Sequence, residues 1–239
     1  MKKVGFLVFL AIILISCLSK VSSENELELV KTIKLAIPEP SGLTLFNNNL
    51  FIVSDHNGII YQTSLEGKIL HKIKTNFDDL EGITIDEDSK NFLLVSEKDR
   101  AVIVLDSLGD FIKKINIKGK QKHYNGGLEG ICFFENSVYV INEKSPRQLL
   151  LLNKDGEILN KIKLNYSKDI SGICFDKISN SFWIVSDESK LILNINNKGT
   201  LIKSFKIAVA KAEGIAINDN NLFIVSDSSK SLAIFKIPN

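Results

Sequence analysis

Ser41-Gly42-Leu43, Glu81-Gly82-Ile83, Glu129-Gly130-Ile131, Ser171-Gly172-Ile173 and Glu213-Gly214-Ile215 are five copies of one short stretch: a small or acidic residue, a glycine and a branched aliphatic residue. Their glycines lie 40, 48, 42 and 42 residues apart. A period near forty marks a repeat architecture, in which each unit buries its apolar face against its neighbours.

Each glycine is followed by an apolar run that ends in a small polar residue and an acid. The copies are Phe51-Ile52-Val53-Ser54-Asp55, Leu93-Leu94-Val95-Ser96-Glu97, Tyr139-Val140-Ile141-Asn142-Glu143, Trp183-Ile184-Val185-Ser186-Asp187 and Phe223-Ile224-Val225-Ser226-Asp227. Short, aromatic and β-branched, they read as buried strands. A third run covers 59–65, 101–105, 148–152, 191–195 and 232–236. Four of these lead into turns with Gly67, Gly109, Gly156 and Gly199, which suit a positive φ. A fourth run alternates lysine with apolar residues, as in Lys68-Ile69-Leu70-His71-Lys72-Ile73, the pattern of a half-exposed outer strand. Four antiparallel strands per period and no helix give an all-β fold, a five-bladed β-propeller. A β-solenoid, the rival architecture, commonly has shorter repeats.

The fifth copy stops after its third strand. Residues 31–38 align with 203–210, so the N-terminal strand is expected to complete the last blade and close the ring without a raw edge. The chain then divides into a signal peptide over 1–16, a lipidated cysteine and tether over 17–26, and the propeller over 27–239. The leader has a basic start at Lys2-Lys3 and an apolar core over 4–15, too short to span a bilayer comfortably. It ends in Leu14-Ile15-Ser16-Cys17, which resembles the lipobox of bacterial lipoproteins, with Cys17 as the acylated residue; an uncleaved membrane anchor is the alternative. The expected place is the cell envelope, membrane-anchored and facing away from the cytoplasm. Removing Lys2 and Lys3 takes the formal charge from +2 to 0, and the remaining lysines are scattered, so nucleic acid is not an expected partner. A monomer is expected. Cys132 and Cys174 occupy equivalent positions in adjacent blades and read as small buried residues rather than a disulfide.

The first strand of a blade descends, the second rises, and so on. The residues before the glycines and the acids ending the second strands therefore share one face, the top. The first set is Ser41, Glu81, Glu129, Ser171 and Glu213; the second is Asp55, Glu97, Glu143, Asp187 and Asp227. Eight carboxylates in one region require positive charge. Ca²⁺, which takes 6–8 oxygen ligands, is one source, with the first set as its ligands and the second as an outer rim. The chain's two arginines, against 28 lysines, are the other. Arg100 and Arg147 each follow a second-strand acid, and each either pins its own loop to a carboxylate or recognises an anionic ligand. The acids of the second set also have a plain alternative role, accepting backbone N–H groups at turns. Residues 119–127 form the one long insertion; it carries His123 and Tyr124, while His56 stands in the first top loop.

The stretches Pro40-Ser41-Gly42-Leu43, Asp79-Leu80-Glu81-Gly82-Ile83, Ser96-Glu97-Lys98-Asp99-Arg100, Leu128-Glu129-Gly130-Ile131, Asn142-Glu143-Lys144-Ser145-Pro146-Arg147, Ile170-Ser171-Gly172-Ile173, Ser186-Asp187-Glu188-Ser189 and Ala212-Glu213-Gly214-Ile215 resemble the SdiA-regulated family, the bacterial YjiK-like proteins. The resemblance runs from about Leu27 to Pro238. It implies a five-bladed propeller, a membrane-targeting N-terminus and a calcium site, and no particular reaction. Two functions are expected: a sensing or binding module for a small molecule or protein at the top face, or a metal-dependent hydrolase of the lactonase, esterase or phosphoesterase kind. In the second, Asn142, His123 or a glutamate would serve as base.

Overall fold

Every blade forms because the two middle runs of each period are apolar on both faces and are covered on either side by less apolar inner and outer runs. The structure, a computed structural model, describes residues 25–118 and 127–237. Cys17 with the lipobox, and His123 and Tyr124 of the insertion, lie outside the described residues. Blade one comprises β3 (Pro40–Phe46), β4 (Asn49–Ser54), β5 (Asn57–Thr63) and β6 (Ile69–Lys74). Blade two comprises β7 (Leu80–Ile85), β8 (Phe92–Ser96), β9 (Ala101–Leu105) and β10 (Phe111–Asn116). Blade three comprises β11 (Leu128–Phe134), β12 (Ser137–Asn142), β13 (Gln148–Leu152) and β14 (Ile158–Lys163). Blade four comprises β15 (Gly172–Asp176), β16 (Ser181–Ser186), β17 (Leu191–Ile195) and β18 (Leu201–Lys206). Blade five comprises β19 (Ala212–Ile217), β20 (Asn221–Ser226), β21 (Ser231–Lys236) and, from the other end of the chain, β2 (Leu29–Lys34). The protein is a five-bladed β-propeller.

The expected closure is present: β2 pairs antiparallel with β21, Thr32 opposite Ala233 and Ile33 opposite Leu232. The end of the expected tether does more than lead into the domain. Asn25–Glu26 is a short strand, β1, that pairs parallel with β18 of blade four, Glu26 opposite Lys206. Between these two pairings Leu27 is buried with Trp183, Phe205 and Phe235 in the core shared by blades four and five. One stretch of chain thus straps two neighbouring blades together.

The core lies between blades, in five clusters, one for each neighbouring pair. Period two distributes the middle strands. On β4, Leu50 and Ile52 face blade five, while Phe51 and Val53 face blade two. Burial on both faces is why these strands read as continuous apolar runs rather than alternating ones. Cys132 is buried between blades three and four, and Cys174 is half-buried; both are free thiols.

The inner strands meet around the axis, where the repeated glycine is required. A Cβ on Gly42, Gly82, Gly130, Gly172 or Gly214 would stand 2.3–2.9 Å from the carbonyl oxygen of Glu81, Glu129, Ser171, Glu213 or Ser41 respectively, each on the next blade. Backbone therefore packs on backbone around the whole ring, and only a cavity of about 10 Å³ remains on the axis. In β3, β7, β11 and β19 the pairing shifts register at the residue before the glycine, or at that residue and the glycine together: Leu128 opposes Asn142, and pairing resumes with Ile131 opposite Val140. Such a bulge bends the strand and re-aims the side chains on it.

Candidate functional site at the top of the channel

Pro40 opposes Ser54, Leu80 opposes Ser96, Leu128 opposes Asn142 and Ala212 opposes Ser226, so the starts of the first strands and the ends of the second share one face. Glu81 and Glu213 line the axial cavity there, and Glu81, Glu129 and Glu213 are each half-buried. Burial pushes the Glu81 carboxyl from its ordinary 4.5 up to about 9, and the carboxylates of Asp55, Glu213, Glu97 and Asp79 add to the shift. Burial also holds Glu129 well above the ordinary value, followed by repulsion from Glu81, Glu143, Glu213 and Glu97. Glu213 is pushed up to about 7 by burial, against the opposing pull of Lys211. Glu81 feels Glu213, and Glu129 feels both Glu81 and Glu213, as a shared mouth requires. Among the described residues none of them makes an ion pair.

Among the described residues the tightest set of acids shares only Glu81 with these three. One carboxylate oxygen each from Asp55, Asp79 and Glu81 lie within 4.8 Å of one another. Oxygens on opposite sides of a Ca²⁺ ion stand about 5 Å apart, so this spacing fits that ion. The donors are all hard oxygens, which suits Ca²⁺ rather than a thiolate- or imidazole-preferring metal. Three protein ligands leave the remaining positions to water or a ligand. Glu129 and Glu213 stand outside this set. Asp79 was not among the site residues expected from sequence, although an acid three residues before the glycine recurs as Glu39, Asp79 and Asp169, and that recurrence was the available signal. Asp79 accepts from the Lys98 N–H at 2.7 Å. Its counterpart Asp169 is buried, accepts from the Glu188 N–H at 3.1 Å and takes the Ser186 hydroxyl hydrogen.

The acids that end the second strands serve largely as pins. Glu97 accepts from the Gly127 N–H at 2.7 Å, and Asp187 from the Ala212 N–H at 3.3 Å, each at the start of the next blade. Asp187 also pairs with Lys190 at 2.5 Å, and these bonds hold its carboxyl below the ordinary range against the effect of burial. Glu143 pairs with Lys144 at 2.7 Å, and Lys144 reaches on to Glu188 of blade four. Asp227 anchors its blade through its backbone N–H, given to Lys211 O at 3.0 Å. Asp55 differs: burial, then Asp79 and Glu39, push its carboxyl up. Of the two serines, Ser41 is committed across the blade boundary, its hydroxyl donating to Leu80 O at 2.6 Å, and Ser171 is buried with its N–H given to Val185 O at 2.9 Å.

Among the described residues neither arginine forms an ion pair with a carboxylate, as the loop-pinning expectation required. Arg147 ties its loop to backbone carbonyls instead, Nε to Leu164 O at 3.3 Å and Nη1 to Lys168 O at 3.0 Å. Arg100 reaches from blade two to blade three, where Nη1 donates to Asn142 Oδ1 at 3.2 Å. Asn142 is itself held by donating to Lys144 O and Pro146 O at 2.8 and 3.0 Å.

The family comparison decides between the relatives such a ring could have: the SdiA-regulated family matches residues 19–231. The chain belongs to the SdiA-regulated family. Solved structures similar to this SdiA-regulated chain include a glutaminyl cyclase from Myxococcus xanthus, with a TM-score of 0.69 and 13% identity over 90% of this chain and 100% of that one. Others are a virginiamycin B lyase from Staphylococcus aureus (TM-score 0.51, 19% identity, 87% of this chain and 74% of that one) and a chain of a nidogen/laminin complex (0.56, 15%, 82% and 75%). At these identities the likeness is one of fold alone, and folds of this kind carry unrelated functions.

Proposed function

We propose that this SdiA-regulated propeller is an extracytoplasmic binding module, anchored by a lipid on Cys17, that holds a cation of the Ca²⁺ type at its top mouth and binds its ligand there. The observation that carries the reading is the group of half-buried inner-strand glutamates, Glu81, Glu129 and Glu213, without an ion-pair partner among the described residues. Unrelieved repulsion at a mouth is what a bound cation offsets, and Glu81 with Asp55 and Asp79 supplies the closest oxygens for one. Thermal melts in chelator and in rising Ca²⁺ test it. The expected result is a melting temperature that climbs with Ca²⁺ and responds more weakly to Mg²⁺, which demands shorter, near-octahedral geometry. No Ca²⁺ response would remove the cation. Detergent partitioning of wild type against Cys17→Ala tests the anchor separately. A panel of lactones and phosphoesters, with Ca²⁺ and with chelator, tests the hydrolase alternative: cation-dependent turnover of any member would move the reading from binding to hydrolysis.

A further inference from the structure

A residue at the entry to the third strand makes the same bond around the ring. Its carbonyl accepts the N–H that follows the outer strand of the same blade: Thr75 on Gly58, Ile117 on Arg100, Leu164 on Arg147, Ile207 on Lys190 and Leu35 on Lys230. The repeat thus supplies its own controls for Arg100. Lys190 turns back onto the acid of its own loop, Asp187. Arg147 spends its guanidinium on two backbone carbonyls. Arg100 passes over Glu97, the equivalent of Asp187, whose carboxylate accepts the Gly127 N–H, and reaches Asn142 on the next blade. A neutral amide oxygen is a weak partner for a guanidinium when acids crowd the same face. Arg100 is half-buried, its Nε is shielded from solvent without an acceptor, and it makes no ion pair among the described residues. Asn142 cannot swing away, because its amide nitrogen bonds two carbonyls. The charge is therefore held in a fixed place, with Nη2 and the second Nη1 hydrogen left as a fork among the described residues.

We propose that Arg100, oriented by Asn142, receives an anionic oxygen group, a carboxylate or a phosphate, of the ligand bound at the top mouth. This rests on the reading of that mouth as a ligand site. It assigns the ligand class: a molecule bearing an anionic group, drawn in by a fixed guanidinium and by the positions that a Ca²⁺ ion would leave open. The two-pronged fork matches the paired oxygens of either group, and a lysine in its place would offer a point charge without that geometry.

Because the chain has two arginines, side-chain ¹⁵N NMR of the full-length protein in detergent gives two Nε–H resonances, and the one missing from Arg100→Lys is that of Arg100. Acetate and inorganic phosphate are titrated separately at constant ionic strength, first in chelator and then with Ca²⁺. The expected result is a saturable shift of the Arg100 resonance with at least one anion, while Arg147 stays still; which anion saturates first separates carboxylate from phosphate. Asn142→Asp places a competing carboxylate against Arg100 and should weaken the anion by roughly tenfold or more while the protein stays folded. No saturable shift in either arm, or parallel shifts of both arginines, would overturn the proposal. A shift in chelator from a protein that ignores Ca²⁺ would uphold Arg100 and remove the cation instead.

Discussion

Glutamates that repel one another at a mouth give the folded chain a definite response to pH. Glu81 has an ordinary value of 4.5 in the unfolded chain and about 9 in the folded one. Between those values the folded chain keeps a proton that the unfolded chain has released, so stability falls as pH rises. Glu129 acts in the same direction, and Glu213 adds to it over the window from 4.5 to about 7. Asp187 acts in the opposite sense, since its folded value is lowered; its contribution is lost only as pH falls below its ordinary 3.8. Melts in chelator from about pH 5 to about pH 8 should therefore show a falling melting temperature, and Ca²⁺ should flatten the slope by favouring the ionised forms. A melting temperature that rises across this range would contradict the assignment. Glu81→Gln, at a residue that belongs both to the axial glutamates and to the set with Asp55 and Asp79, should make the slope shallower, leaving the shares of Glu129 and Glu213, and should remove most of the Ca²⁺ response. Glu129→Gln should weaken that response without unfolding the apo protein. Glu143→Gln should leave it in place, because Glu143 already pairs with Lys144.

At the scale of the element, the inner strand is set by its glycine and its bulge together. Gly82→Ala would put a Cβ 2.4 Å from Glu129 O, a backbone atom that cannot turn aside. Overpacking of this kind costs about 1–3 kcal/mol or more. In a chain of this size that lowers the melting temperature by roughly 2–4 °C per kcal/mol, which calorimetry would resolve. The N-terminal strap makes a second claim. Leu27, 7% exposed, fills the seam between blades four and five, whereas Leu29 two residues on is 53% exposed. Leu27→Ala should cost about 2 kcal/mol, the low end for a buried leucine beside a surface. Leu29→Ala should stay within about 0.5 kcal/mol, and equal effects in denaturant titrations would mean that the strap does not seal the seam.

For the whole molecule, a cation at the mouth would act as a cross-brace. Asp55 comes from blade one, and Asp79 and Glu81 come from blade two, so one ion would add a tie between sheets that meet through apolar packing, the Ser41–Leu80 bond and the Lys90 ammonium over the Phe46 ring. Binding restricted to the folded state contributes about 2.7 kcal/mol at a ligand concentration one hundred times Kd. Ca²⁺ should therefore slow unfolding of the entire ring rather than of one loop, and hydrogen exchange of β4, β8 and β20 should slow together. Protection confined to β7 and its flanking loops would point to a local site without the bracing.

The sequence by itself determined the architecture. A period near forty, apolar runs buried on both faces and an N-terminal strand in the pattern of an outer strand leave one way for five units to cover one another, and the third strands 101–105, 148–152 and 191–195 stand where the runs placed them. It also determined which residues share the top face, because strand direction alternates. What it could not determine was distance within that face. The register shift at the residue before the glycine is a property of pairing between strands, and the carbonyls that exclude a Cβ belong to the next blade. Asp79 joins Asp55 and Glu81 only because two blades meet at that point. Arg100 and Arg147 are alike in sequence, each just after a second-strand acid, yet one bonds backbone carbonyls and the other a neighbouring blade's amide. Repeats written in the same letters acquire different partners when the ring closes, because each blade faces a different neighbour.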